Sequence, residues 1–127
     1  MTWAFWCILI AGLLPYLGAM FAKWGFKDFD NDYPRDWLAQ QTGFRARANA
    51  AQANSFESFP LFASAVLVAT HLQVPTTQID SLATIYILAR VAFLYCYLRN
   101  LATYRTIAWV IGLLSVCGLF VAAGFVQ

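Results

Sequence analysis

The fold is decided by one stretch of the chain, residues 44–71, which reads FRARANAAQANSFESFPLFASAVLVATH. Its second half is apolar enough to enter a bilayer, whereas its first half carries charged and amide side chains that a lipid-facing helix would not tolerate. A helix divided in this way must bury its polar end against other protein, and a buried group of polar side chains forms a site. The polar residues are Arg45, Arg47, Asn49, Gln52, Asn54 and Glu57.

The composition predicts a single-domain membrane protein. Of the 127 residues, 61% are hydrophobic and 11% charged, against roughly a quarter charged in soluble domains. The net charge of +2 is too small to indicate a nucleic-acid partner, and no basic run with interleaved aromatic residues is present. We therefore interpret residues 1–127 as one all-α domain in contact with membrane lipids.

Four apolar segments are predicted to span the membrane, joined by one long and two short connections. The first covers residues 3–22, which carry no charge and include Pro15 as a possible kink. The others cover residues 43–73, 77–102 and 104–126. This pattern predicts an integral membrane four-helix bundle.

The long connection, residues 23–43, is predicted to be a solvated loop. Its DFDND run lacks the glycine and the glutamate that a calcium loop needs at its sixth and twelfth positions. No metal site is expected, because His71 has no partner at ligand spacing and the cysteines are scattered in apolar segments as packing residues. The cysteines are Cys7, Cys96 and Cys117.

The basic residues predict the orientation of the chain. In a four-span protein the first and third connections share one side of the membrane, and both termini share the other. All of the basic residues except Arg90 lie on the side of the first and third connections, which should therefore face the cytoplasm. We expect a bacterial inner membrane with the termini outside. These residues are Lys23, Lys27, Arg35, Arg45, Arg47, Arg99 and Arg105.

Two charged residues, Glu57 and Arg90, lie at similar predicted depth in the second and third helices. An unpaired charge there costs at least ~2.5–3.5 kcal/mol, so we expect an ion pair, which would either lock the helices together or belong to a site. Arg47 and Asn54 share a helical stripe with Glu57. Because Arg45, Asn49 and Gln52 lie on a separate face, the helix should have two protein neighbours, as in an oligomer.

The third helix presents a cationic and aromatic stripe. A pocket with arginines at its mouth and amide and phenol groups deeper suits a small anionic ligand that forms hydrogen bonds. Asp80, near the outer start of this helix, is expected to be a capping carboxylate. The stripe contains Tyr86, Arg90, Phe93, Tyr97 and Tyr104.

Two segments resemble one known family. RANAAQANSFESFPLFA, with Asn54 and Glu57 as its N-x-x-E pair, resembles the second-helix signature of the membrane-associated proteins in eicosanoid and glutathione metabolism, the MAPEG family. ILARVAFLYCYLRNLATYR resembles that family's A-R-x-x-x-x-x-x-Y segment, which a boundary arginine follows. The likeness covers residues 43–125.

The resemblance implies a homotrimer that binds glutathione as a co-substrate between subunits on the cytoplasmic side. Arg105 matches the arginine that stabilises the glutathione thiolate, the reactive form of a thiol. A hydrophobic electrophile or lipid hydroperoxide would enter from the membrane. The candidate glutathione-binding residues are Arg47 at the pocket mouth and Asn54, Glu57, Arg90 and Tyr97 at matching positions.

Two positions depart from the family pattern and leave alternatives open. Ala50 stands where many enzymatic members have an arginine, and Phe93 where many have a tyrosine or histidine, so two polar contacts with the tripeptide are lost. The chain is therefore predicted to be a glutathione transferase or peroxidase, with a non-catalytic lipid-binding or scaffold protein as the alternative. A small multidrug transporter fits less well, since such proteins have a glutamate in their first span.

Overall fold

The computed structural model describes residues 1–25 and 28–126, and within them the chain forms five α-helices and no strands. This confirms the all-helical fold class. Lys27, used above in the orientation argument, lies outside the described residues. The helices are α1 (Trp3–Lys23), α2 (Pro34–Ala39), α3 (Gly43–His71), α4 (Thr76–Leu98) and α5 (Ala102–Phe125).

Three of the described helices, α1, α4 and α5, are long and apolar enough to cross a membrane, with mean hydropathies of 1.9, 1.6 and 2.3. The longest helix, α3, has 29 residues. α3 is less apolar than the other three because its first half carries the polar residues of the stretch 44–71. Three of the four predicted spans are therefore supported, and α3 as the fourth stays a prediction.

The connection between α1 and α3 contains α2, which the sequence analysis missed. Pro34 occupies the start of α2, where its fixed φ favours a helix and its missing N–H costs nothing. The helix buries Trp37 and Leu38, and the Trp37 ring meets the Phe29 ring edge-on with centroids 5.1 Å apart. The prediction of a solvated loop is wrong for residues 34–39.

α1 packs along α3 through small side chains that recur every three or four residues. At Gly18 a Cβ atom would lie 3.2 Å from both the backbone oxygen of Ala48 and the backbone nitrogen of Gln52. The glycine therefore permits a close approach of the two helices. The buried face of α1 consists of Ala4, Cys7, Ala11, Leu14, Pro15, Gly18 and Ala22.

α4 ends earlier than predicted because a Schellman motif closes it. Asn100 has a φ of 57°, and its N–H donates to the Tyr97 carbonyl at 3.2 Å, while the Leu101 N–H donates to the Cys96 carbonyl at 2.8 Å. The helix stops at Leu98. The predicted extension of this helix to residue 102 is therefore wrong.

This early end also corrects the predicted aromatic stripe. Tyr104 lies on α5 and is 65% exposed. It does not continue the stripe of α4, on which Tyr86 and Phe93 are buried. The stripe thus ends at Tyr97.

Basic residues gather at one end of the molecule, called here the basic end, where α1 and α4 end and α3 and α5 begin: Lys23, Arg45, Arg47, Arg99 and Arg105. An Nη2 hydrogen of Arg45 bonds the Trp24 carbonyl at 2.9 Å and joins α3 to α1. At the opposite end, the Ala4 N–H donates to Asp80 Oδ1 at 2.9 Å. Asp80 therefore caps α1, rather than its own helix, at a terminus whose N-cap Thr2 makes no side-chain capping bond.

Candidate functional site

Arg90 is the central polar residue between α3 and α4, and it is only 3% exposed. Its Nη2 donates to Asn54 Oδ1 at 2.9 Å and to Ser55 Oγ at 3.1 Å. Its guanidinium carbon lies 4.2 Å from the centroid of the Phe93 ring. A buried cation is thus held by two neutral acceptors and one aromatic face.

The predicted ion pair between Glu57 and Arg90 is not formed among the residues that the structure describes. Glu57 lies on an exposed part of α3, and the acceptors of Arg90 are Asn54 and Ser55 instead. The reason is the rotation of α3 about its axis, which turns Asn54, Ser55 and Ser58 towards α4 and leaves Glu57 exposed. Both charged residues nevertheless line the same cleft.

This cleft has a volume of about 250 Å³ and lies between α3 and α5, with Arg90 of α4 among its lining residues. Its polar part contains Asn54, Glu57, Ser58 and Arg90. Its apolar part includes exposed side chains, so the cleft is bordered by the apolar outer surface of the protein. The apolar lining consists of Leu61, Trp109, Gly112, Leu113 and Val116.

α5 lies against the buried arginine at Gly112. A Cβ atom at this position would lie 3.8 Å from Arg90 Cδ and 3.7 Å from Ala89 Cβ. One wall of the cleft therefore lies directly against the arginine side chain.

Sequence reasoning missed two serines in this region. Ser55 accepts a hydrogen bond from Arg90, and Ser58 shares a 2.7 Å hydrogen bond with the hydroxyl of Tyr86. The Tyr86 ring in turn stacks on Phe62 at 3.8 Å between centroids. Spacing was an available signal for Ser58, which lies four residues after Asn54 and so on the same helix face, but not for Ser55, which directly follows Asn54.

A second group of predicted residues lies at the basic end. The Arg105 guanidinium carbon lies 4.4 Å from the centroid of the Tyr97 ring, and that ring meets Phe93 edge-on at 5.3 Å. Arg47 donates from Nε to the Tyr97 carbonyl at 3.1 Å and from Nη2 to the Leu98 carbonyl at 3.3 Å. The observed bonds of Arg47 are thus to backbone, and its role as a ligand contact stays a prediction.

The six candidate residues therefore form two groups. Asn54, Glu57 and Arg90 line the cleft, whereas Arg47, Tyr97 and Arg105 meet around the last turn of α4. A continuous series of cation–π and ring–ring contacts joins the two groups. It runs from Arg90 through Phe93 and Tyr97 to Arg105.

The second polar face predicted on α3 borders a separate groove of about 270 Å³. Asn49 and Gln52 line it together with Arg35, which lies on α2. The two faces of α3 are thus used differently: one holds Arg90 within the chain, and the other borders an open groove.

Neither metal-ligating nor paired cysteine chemistry is visible in the described part of the chain. No group of three or more His, Cys, Asp or Glu residues there could hold a metal ion. Cys7 and Cys96 are buried, as expected of packing residues, whereas Cys117 is exposed.

In a comparison with known families, the sequence model described as the MAPEG family matches residues 3–125, which is nearly the whole chain. Comparison with curated proteins and with solved structures gives no significant match.

Proposed function

The chain belongs to the MAPEG family, and on this premise we propose that it is an integral membrane glutathione transferase or peroxidase. Its second substrate would be a hydrophobic electrophile or a lipid hydroperoxide. Family membership supports a membrane role related to glutathione or eicosanoid metabolism. The observation that carries the narrower proposal is the buried Arg90 in a cleft that also contains a carboxylate and an apolar wall.

The charges of the cleft suit one end of glutathione. The glutamyl end of the tripeptide carries a carboxylate and an ammonium group, and the cleft offers the guanidinium of Arg90 and the carboxylate of Glu57. A guanidinium has five N–H donors, and within the described residues the hydrogen bonds of Arg90 use only Nη2. Its other nitrogens would therefore bind the carboxylate, while Glu57 binds the ammonium.

Arg105 would favour the reactive form of the substrate thiol. Bound glutathione would supply a thiolate, which is the nucleophile for conjugation or for reduction of a peroxide. The Tyr97 ring holds the Arg105 guanidinium at the basic end, where a fixed positive charge stabilises an adjacent thiolate. The exposed apolar wall at Leu61, Trp109 and Leu113 would receive the hydrophobic substrate from the lipid.

The proposed assembly is a homotrimer of four-span subunits, with glutathione bound between neighbours. The support is the second polar face of α3, because Asn49 and Gln52 border an open groove that a neighbouring subunit would cover. The proposed location is a bacterial inner membrane with the termini outside. The gathering of Arg45, Arg47, Arg99 and Arg105 at one end supports this orientation.

Titration calorimetry with glutathione in detergent tests binding, and the ultraviolet absorbance of the thiolate tests activation. The wild-type protein should bind glutathione and show the thiolate signal. Arg105→Ala should lose most of that signal, whereas Arg99→Ala, which removes an exposed arginine at the same end, should retain it. Absence of glutathione binding by the wild-type protein would refute the proposal.

A second candidate is a non-catalytic lipid-binding or scaffold protein of the same family. Phe93 favours it, because this ring lies buried against Arg90 and gives a ligand no hydrogen bond. The two candidates differ in one result. Binding of glutathione or lipid without thiolate formation or turnover would support the second candidate over the first.

A further inference from the structure

Arg47 ties the beginning of α3 to the end of α4. Its Nε and Nη2 nitrogens donate to the carbonyls of Tyr97 and Leu98, at 3.1 and 3.3 Å. Carbonyls in the last turn of a helix have no partner within the helix and carry the negative end of its dipole. A guanidinium is therefore well suited to this position, since it neutralises the dipole and satisfies two acceptors at once.

These bonds occupy an edge of the guanidinium that a ligand would need. Nε and Nη2 form one of the two edges through which an arginine holds a carboxylate with parallel hydrogen bonds. In Arg47 this edge faces the backbone of α4. A ligand carboxylate on that edge would have to displace both carbonyls.

The last turn of α4 also determines where the thiol-activating charge lies. The Tyr97 carbonyl accepts the Asn100 N–H at 3.2 Å as well as the Arg47 Nε, so both bonds fix the same peptide. The guanidinium carbon of Arg105 lies 4.4 Å from the centroid of the ring of this tyrosine. The orientation of the Arg105 side chain thus depends on the backbone that Arg47 holds.

We propose that Arg47 is a positioning residue, which fixes the peptide of Tyr97 and through its ring the guanidinium of Arg105, and that it does not contact the substrate. The clamp itself is a property of the fold. Its consequence for thiol activation rests on the proposed glutathione chemistry.

Hydrogen exchange of the backbone amides tests the clamp without any ligand. Arg47→Met keeps the length and apolar volume of the stem but removes the donors. It should raise the exchange rates of the Asn100 and Leu101 amides about tenfold, as expected from loss of about 1.4 kcal/mol of local stability. The matched control is Arg45→Met, which removes an arginine bonded to the Trp24 carbonyl of α1 and should leave these rates within about twofold. Unchanged exchange in Arg47→Met would overturn the proposal.

Glutathione measurements then separate positioning from ligand contact. Positioning predicts that Arg47→Met lowers kcat and the thiolate signal about tenfold while the Kd for glutathione changes less than about twofold. Arg47→Lys should restore part of kcat, because an ammonium donates to a carbonyl but lacks the planar fork with which the guanidinium holds both. An increase in Kd of tenfold or more, with thiolate formation intact at saturation, would overturn the positioning role.

The two proposals fail in different ways. If the wild-type protein binds no glutathione, the proposed function is refuted, and the exchange experiment still decides whether Arg47 acts as the clamp. If glutathione binds and the exchange rates do not respond to Arg47→Met, only the positioning proposal is refuted.

Discussion

The hydrogen bond between Asn54 and Arg90 should be a major stabilising contact between α3 and α4, and Asn54→Leu tests this. The bond is 2.9 Å long, and Arg90 is 3% exposed, so water does not readily replace the lost acceptor. Hydrogen bonds to charged groups contribute ~1.5–3 kcal/mol, whereas hydrogen bonds between membrane helices average ~0.6 kcal/mol. Because this donor is charged and buried, we expect the loss to lie in the higher range.

The isosteric change Asn54→Asp is the matched comparison. It retains an oxygen where Arg90 donates and adds a counter-charge, so the free energy of unfolding should not fall. Equilibrium unfolding in mixed detergent micelles, followed by tryptophan fluorescence, measures both variants. A double-mutant cycle with Arg90→Leu should give a coupling energy of ~1.5–3 kcal/mol, since the two substitutions remove the same bond.

Two outcomes would refute this reasoning. Equal stability of Asn54→Leu and Asn54→Asp would show that the bond contributes nothing beyond side-chain volume. A coupling energy near zero would show that Arg90 is satisfied independently of Asn54.

Two further predictions concern the ends and the interface of α1. Gly18→Val should destabilise the protein by ~1–3 kcal/mol because its Cβ would lie 3.2 Å from the backbone of α3. The control Gly124→Val, where a Cβ would have no atom within 4 Å, should change stability much less. Thermal unfolding in detergent compares the two variants, and equal effects would contradict the close packing of α1 against α3. Asp80→Ala should cost ~0.5–2 kcal/mol and speed exchange of the Ala4 amide, since this amide loses its 2.9 Å acceptor. Protection of that amide equal to wild type would show that the cap is dispensable.

Composition and local pattern were sufficient for the all-helical class and the apolar helices α1, α4 and α5. Their hydrophobic runs are long enough to specify helices whatever they pack against. It was also predictable that Asn54 and Arg90 must each find a polar partner, since each is a polar residue in an apolar segment. The short helix α2 was missed because its amphipathic signal extends over only six residues.

The choice of partners was decided by tertiary structure. Depth along a helix axis suggested Glu57 as the partner of Arg90, but the rotation of α3 against α4 brings Asn54 and Ser55 there instead. The Schellman motif at Asn100 placed Tyr104 on the next helix, and helix packing brought Arg47 to the carbonyls of α4. Sequence determines which side chains must avoid lipid, because the free energy of transfer from water into lipid is a property of each side chain. Which groups satisfy one another depends on helix rotation and on where each helix ends, and these are determined only when the whole chain packs.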